Sequence, residues 1–442
     1  MSAEPFPRRR TAWYALFVLM LCYTLSYVDR QILAFLVEPL KHELSIGDAK
    51  IGLLQGIYFA MFYTLVGLPM GWLADRYNRR NIIAAGVLFW SVMTALSGAA
   101  RSYVSLAFAR MGVGVGEATT NPCAFSMISD LFPRERLATA MSVYMMGIQL
   151  GSGLALIIGG VVVQSVSEMP PVTLPWLGTL SPWRLTFFVV GLPGVLFALL
   201  VLTFKEPPRR AILRNEAGKP EPAKLSVGLA EVGKRWQSVF GIAFMIASQA
   251  LCNYTLLSWG PSFFGRVHQW PRDRIGLVMG LIVLGSGCIG LITGGRLADA
   301  WQKRGVPDAT LRVGLISLIG VGILLPTAML LPEANWTVGV LVITVFFIGL
   351  PIGCSYAALQ HIFPNQVRGV ASAIVLFIVN FTGLGLGSFL PGFLSEYVFQ
   401  DPLKVGQAIA LTVVIAALFG TVIVLLTMKP YRRHYAEMAA IT

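Results

Sequence analysis

The sequence predicts an all-α polytopic membrane protein with twelve transmembrane helices in two pseudo-symmetric six-helix bundles. Three observations carry this prediction. Of the 442 residues, 56% are apolar and only 12% charged, about half the charged share of a soluble domain. Apolar stretches of about 20 residues recur throughout, each long enough to cross a hydrocarbon core of roughly 30 Å as helix. A ten-residue pattern between the second and third stretches returns between the eighth and ninth, as parallel internal repeats require.

Charge clusters and Pro/Gly turns divide the chain into its elements. The first six spans start near Ala12, Lys50, Asn81, Val104, Arg136 and Trp183, and the second six near Val239, Arg274, Thr310, Trp336, Arg368 and Leu403. Arg8, Arg9 and Arg10 precede the first span as they would a signal peptide. The apolar run nevertheless continues to about Val37 without a small-residue cleavage site, so it reads as a retained helix. The one long polar segment, Lys205 to Arg235, separates the halves. The expected domains are an N-terminal bundle over 1–204, a linker over 205–236, and a C-terminal bundle with a short tail over 237–442. With the N-terminus inside, 23 of the 34 Lys and Arg fall on the inner side and 8 on the outer, with Arg30, Arg110 and Arg296 left within spans. This bias places both termini in the cytoplasm of a cell inner (plasma) membrane.

Several function classes are excluded. The net charge of +13 is dispersed over short loops and forms no continuous basic face, so nucleic acid is not an expected partner. The five cysteines, Cys22, Cys123, Cys252, Cys288 and Cys354, all lie in apolar spans and read as small core residues. The four histidines have no metal spacing and no phosphate-binding loop is present. An enzyme is therefore not expected, nor any cofactor, and a proton gradient is the expected energy source. A non-transporting membrane sensor would need a signalling domain, which neither short tail supplies.

The repeated pattern is Gly71-Trp-Leu-Ala-Asp75-Arg76-Tyr-Asn-Arg79-Arg80 in the first half and Gly295-Arg-Leu-Ala-Asp299-Ala-Trp-Gln-Lys303-Arg304 in the second. Leu131-Phe132-Pro133 likewise recurs as Ile362-Phe363-Pro364, with Arg136 and Arg368 following. An Asp at such a turn can cap a facing helix or pair with an Arg. Asp75, Arg76, Arg79, Arg80, Arg136, Asp299 and Lys303 are therefore the candidates for a cytoplasmic gate.

Four ionisable residues lie deep within spans: Asp29 and Arg30 in span 1, Arg110 and Glu117 in span 4. Each would cost about 2.5–3.5 kcal/mol if left facing lipid. They are expected to face an interior cavity or each other, and two acids with two bases suit mutual pairing. Arg110 and Glu117 are seven apart and share one helix face, and Gly112, Gly114 and Gly116 between them allow another helix close. The second half holds almost no interior charge. Its polar inventory includes Asn253 and Tyr254 in span 7, Tyr356 in span 10 and Asn380 in span 11. One charged wall and one apolar wall suit a substrate with a charged head and an aliphatic tail.

The turn from Gly71 to Arg80 and its copy resemble the loop motif of the major facilitator superfamily. Tyr27-Val-Asp29-Arg30, Asp75 to Arg80, Arg110-Met-Gly-Val-Gly-Val-Gly-Glu117-Ala118, Asp130-Leu-Phe-Pro133 and Gly151-Ser-Gly153 more closely resemble the Spinster family of lysolipid and sphingosine-phosphate transporters. That resemblance implies alternating access by two six-helix halves around a central cavity, working as a monomer. It implies Asp29 and Glu117 as proton-coupling acids. Arg30 and Arg110 would bind the anionic head, with Asn121, Asn253, Tyr254, Tyr356 and Asn380 as further substrate contacts. The expected partners are protons, the lipid bilayer and an amphiphilic anion such as a lysophospholipid. Two departures matter. Ser152 stands where the superfamily's antiporter motif has Pro, which weakens an argument for export by exchange. The sugar-acid anion:cation symporters of the superfamily share the Asp-Arg pair and offer the alternative substrate. They typically place Pro directly after Glu-Ala, whereas this chain reads Glu117-Ala118-Thr119-Thr120-Asn121-Pro122.

Overall fold

The computed structural model describes residues 6–170, 172–174, 178–209, 225–352, 354–363 and 368–439. Most of the expected linker lies outside the described residues. Among the described residues ten helices are long and apolar enough to cross a membrane, and Ala334–Gly349 is a shorter apolar one. No expected span start differs from the observed one by more than three residues. Span 4 is missing from the long helices because it is broken into Tyr103–Glu117 and Thr120–Leu131. Pro122 lacks the N–H that would bond the carbonyl of residue 118, and the Thr119 hydroxyl donates to the Gly116 carbonyl at 2.8 Å instead. Span 10 likewise divides into Ala334–Gly349 and Ser355–His361 around Pro351.

Helix starts follow local chemistry. The Ser102 side chain accepts from the Ser105 N–H while the Ser105 hydroxyl accepts from the Ser102 N–H, a complete capping box for span 4. Asn78 caps span 3 through the Asn81 N–H. Outward faces are apolar because the surrounding solvent is hydrocarbon. In span 12 Ile415, Leu418, Val422 and Leu426, at helical spacing, are all exposed.

By packing, the chain divides into two compact units. One holds residues 1–46, 58–222 and 271–280, the other 47–57, 223–270 and 281–442. Span 2 thus changes unit after Ile57, the last residue of a π-helical turn, Leu53–Ile57. Span 8 changes just ahead of a second such turn, Val283–Gly287. A π-turn interrupts the regular i to i−4 ladder, and such turns cluster at functional positions.

Within the first unit, Gly276 of span 8 meets Gly160 of span 5 so closely that a Cβ there would lie 2.3 Å from the Leu156 carbonyl. Spans 5 and 6 are joined by a hairpin, Val172–Leu174 paired antiparallel with Gly178–Leu180. Glu43, beyond the end of span 1, accepts from the Ser181 hydroxyl, the Trp183 indole and the Arg184 guanidinium. Burial pushes its carboxyl up, but the three donors more than offset this and hold it below the usual carboxylate range. A depressed acid stabilises the fold above its ordinary value and loses that contribution as pH falls through the lower one. Thermal stability should therefore fall between pH 5 and pH 3 in the wild type, and less steeply in Glu43→Gln; identical slopes would contradict this.

Within the second unit, Val239, Ile242, Met245, Phe363, Val375 and Tyr431 form the core of spans 7, 11 and 12. The start of span 2 packs here against span 11. Arg266 of span 7 grips both oxygens of Asp48 at 2.8 Å, and Ser395 donates to the same carboxylate at 2.9 Å. Glu396 accepts the Ala49 N–H at 2.8 Å. The bidentate pair is buried, so each charge has its hydrogen bonds where water cannot supply them.

Candidate functional site

The four intramembrane charges come together in the first unit. Arg30 binds Glu117 through Nε at 2.6 Å and through Nη2 at 2.5 Å, with the Glu117 side chain 1% and the Arg30 side chain 12% exposed. Spans 1 and 4 therefore meet, which spacing along span 4 alone does not specify. The partnering differs from four-way mutual pairing. Arg110 donates from Nη1 to the backbone carbonyl of Asp29 at 3.2 Å. A carbonyl carries a second lone pair beside its helical bond, so it can take this donor. Both carboxyl oxygens of Asp29, Nε of Arg110, Oε1 of Glu117 and Nε1 of Trp90 are buried and meet no hydrogen-bond partner in good geometry among the described residues. The groups acting electrostatically on Asp29 are Glu117, Arg110 and Arg30, with the Trp90 indole beside it.

Aromatic rings complete the site. The Arg30 guanidinium lies 4.7 Å from the Phe59 ring centroid and 5.1 Å from both Tyr27 and Tyr63. Such contacts are worth about 2 kcal/mol or more when desolvated. Phe59 and Tyr63 are one turn apart on span 2 and stack with each other at 5.6 Å. Tyr63 Oη accepts from Asn121 at 3.0 Å, and Asn121 in turn accepts from the Tyr144 hydroxyl at 2.8 Å. Tyr144 stacks on Tyr23 of span 1 at 4.9 Å. Asn121, an expected substrate contact, is thus the middle of a hydrogen-bonded chain from span 2 to span 5. The rings Tyr27, Phe59, Tyr63 and Tyr144 and the indole of Trp90 were not among the expected site residues. The one available signal was spacing, since Tyr27 neighbours the Asp29-Arg30 pair and Phe59 and Tyr63 share a face.

In the second unit Asn253, Tyr254 and Asn380 are half-buried and make no hydrogen bond to the described residues, and Tyr356 is exposed. Ser258, also in span 7, bonds Ser388 at 2.7 Å, and Trp259 donates to the Ser388 carbonyl at 2.7 Å. These polar groups join spans 7 and 11.

The residues expected at a gate separate into different roles. Arg79 is 0% exposed and acts as a hub. It donates to Asp130 at 2.5 Å, Glu206 at 2.7 Å, Ser126 at 2.7 Å and the Pro207 carbonyl at 2.9 Å. Arg80 caps the end of span 6 through the Phe204 carbonyl at 3.1 Å, while its backbone N–H is held by Glu206 at 2.9 Å. Arg76 lies over the Trp72 ring, 4.0 Å from the centroid. Arg136, Asp299 and Lys303 are exposed and make no hydrogen bond or ion pair among the described residues. The Asp75 side chain and Pro364 lie outside the described residues. The hub's acids, Asp130 and Glu206, were missed as gate members, although Asp130 stands in a quoted motif. In the second unit a buried acid at the start of span 9, Asp308, is bound by Arg312 at 3.2 Å and Arg432 at 2.7 Å.

The comparisons with known proteins agree with this architecture. The Major Facilitator Superfamily profile matches residues 19–388. A protein named MFS-type efflux pump from Mycolicibacterium smegmatis is 31% identical over 98% of this chain and 96% of its own length. The Sphingosine-1-phosphate transporter SPNS2 of Danio rerio is 26% identical over 65% of this chain and 56% of its own. A crystal structure of a bacterial homologue of the human lysosomal transporter Spinster, inward-facing and unoccupied, superposes with a TM-score of 0.77 at 26% identity. That match covers 98% of this chain and 99% of the other. The chain belongs to the Major Facilitator Superfamily of membrane transporters, is not an enzyme, and within the superfamily resembles the Spinster proteins.

Proposed function

We propose that the chain is a proton-coupled transporter of an amphiphilic anion with a phosphate-bearing head, of the lysophospholipid or sphingoid-phosphate class. One observation carries the proposal: an ion pair joining spans 1 and 4, Arg30 and Glu117, lies at membrane depth with Arg30 faced by three aromatic rings. The rings present an apolar, electron-rich lining, and the guanidinium supplies the fork that phosphate geometry matches. A phosphate and Glu117 compete for the same donors. When the head group takes Arg30, Glu117 is left in a dry site without its counter-ion, and a carboxyl so placed takes a proton. Asp29, whose oxygens meet no hydrogen-bond partner in good geometry among the described residues, is the second proton carrier, held next to the pair by the Arg110 clamp on its own carbonyl.

The nearly uncharged second half supports a substrate with an aliphatic tail. The name of the zebrafish relative supports the same head-group class, and that of the mycobacterial relative supports outward movement. The reading puts both termini in the cytoplasm and needs one copy of the chain.

The test is uptake of a radiolabelled lysophospholipid by proteoliposomes. Arg30→Gln should lower uptake by about a hundredfold, because it removes both the phosphate fork and the charge that holds Glu117. Arg30→Lys should recover only part, since an ammonium cannot present the fork. Wild-type uptake of sugar acids with none of lysolipid would instead assign the alternative substrate.

A further inference from the structure

We propose that the end of span 2 carries a second, separate anion site, one that holds the head group of an anionic phospholipid of the surrounding bilayer. A cavity of about 400 Å³ opens between the end of span 2 and the segment that follows span 6. Arg76, Tyr77 and Asn78 form one wall, Glu206 and Arg209 the other. All belong to the first unit, at the end where Tyr14 near the amino terminus bonds Thr203.

The electrostatics of this cavity are one-sided. Arg76 is exposed and stacks on Trp72, and its N–H donors make no hydrogen bond to the described residues. Arg209 uses Nη2 to hold the Ala74 and Tyr77 carbonyls at 2.7 and 2.6 Å, which fixes the wall and leaves its charge in the cavity. The one carboxylate among the lining residues is Glu206. Both of its oxygens are already taken, one by the buried Arg79 and the other by the Arg80 N–H. Two guanidinium groups therefore face a space large enough for a phosphodiester, with no free carboxylate among the described lining residues.

The surroundings point to a lipid as the source of that phosphate. Trp72 is 51% and Tyr77 57% exposed, flanking Arg76 in the last turn of a transmembrane helix. Amphipathic rings at this depth mark the head-group layer of a bilayer. A stack of guanidinium on indole presents an apolar edge to an acyl chain and donors to the phosphate in one unit. The charge bias reads this side as cytoplasmic, the leaflet where anionic lipids draw basic residues.

The test uses the full chain purified in an uncharged detergent, with lipid retention read by native mass spectrometry and stability by thermal unfolding. The wild type should retain phosphatidylglycerol at least about tenfold better than phosphatidylcholine, and be stabilised by it. Arg76→Gln and Arg209→Gln should each lower that preference by about tenfold, in proportion to the charge-assisted hydrogen bonds removed. Trp72→Ala should weaken phosphatidylglycerol without affecting any response to inorganic phosphate. Stabilisation by inorganic phosphate equal to that by phosphatidylglycerol would overturn the lipid assignment. Equal retention of the two lipids, or a preference unchanged in both arginine variants while the proteins unfold at the wild-type temperature, would overturn the site.

Discussion

Replacing Glu117 by Gln is expected to reduce substrate-driven proton movement to the rate of empty liposomes. The amide keeps the size of the carboxyl and can still accept from Arg30, so the packing of spans 1 and 4 should survive. What it loses is the exchangeable proton. Binding of a lysolipid should therefore persist, and tighten several-fold, because the head group no longer competes with a carboxylate for the two donors now at 2.5 and 2.6 Å. The measurement is paired: lysolipid affinity in detergent and proton flux in liposomes for the same variant. Loss of binding together with loss of flux would make Glu117 a structural partner of Arg30 and nothing more.

Arg79→Ala should cause the largest loss of stability of any single substitution outside the charged centre. Its guanidinium is fully buried and holds Asp130, Glu206, Ser126 and the Pro207 carbonyl. Removing it breaks the ion pairs to Asp130 and Glu206, a cost of about 3–5 kcal/mol for a broken buried pair. Arg79→Lys should recover less than half, since a single ammonium cannot reach partners on span 4 and on the segment after span 6 at once. Thermal unfolding of the purified chain checks this. A shift no larger than that of Arg136→Ala, whose side chain is exposed and unpaired among the described residues, would show that the hub is not structural.

Much of this molecule was legible before its structure. The solvent for most of the chain is hydrocarbon, which allows only one satisfied backbone form, the helix, so span positions follow from apolar length and charged turns. The breaks within spans were less visible. Pro122 and Pro351 signal them, but the π-turns at Leu53–Ile57 and Val283–Gly287 carry no residue that a regular helix would reject. The same division holds at the site. Buried charges announce themselves because their desolvation must be compensated, and Asp29, Arg30, Arg110 and Glu117 do meet. Which acid takes which base is decided by the rotation of two helices, which spacing along one helix does not specify. The aromatic wall around Arg30 was hidden for a different reason. In a chain with 49 Phe, Tyr and Trp, three rings at the right face are indistinguishable from core until span 2 is placed against span 1.

The turn motif shows the converse. Its residue types were identified, but one shared task was assigned to residues that the fold uses differently. Arg79 points inward to buried acids, Arg80 caps a helix, and Arg76 lies along the surface on Trp72. Position in a ten-residue motif gives proximity in sequence, while orientation around the helix axis, about 100° per residue, sends neighbours to different partners.

The most direct test of the central claim is the pH inside liposomes that hold the purified chain and a trapped pH dye, recorded when lysophospholipid is added. The account predicts a lysolipid-dependent change in luminal pH in the wild type, absent in both Asp29→Asn and Glu117→Gln. Lysolipid movement without any pH change, or an equal change in the two variants, would contradict it and leave the Arg30–Glu117 pair as a packing device.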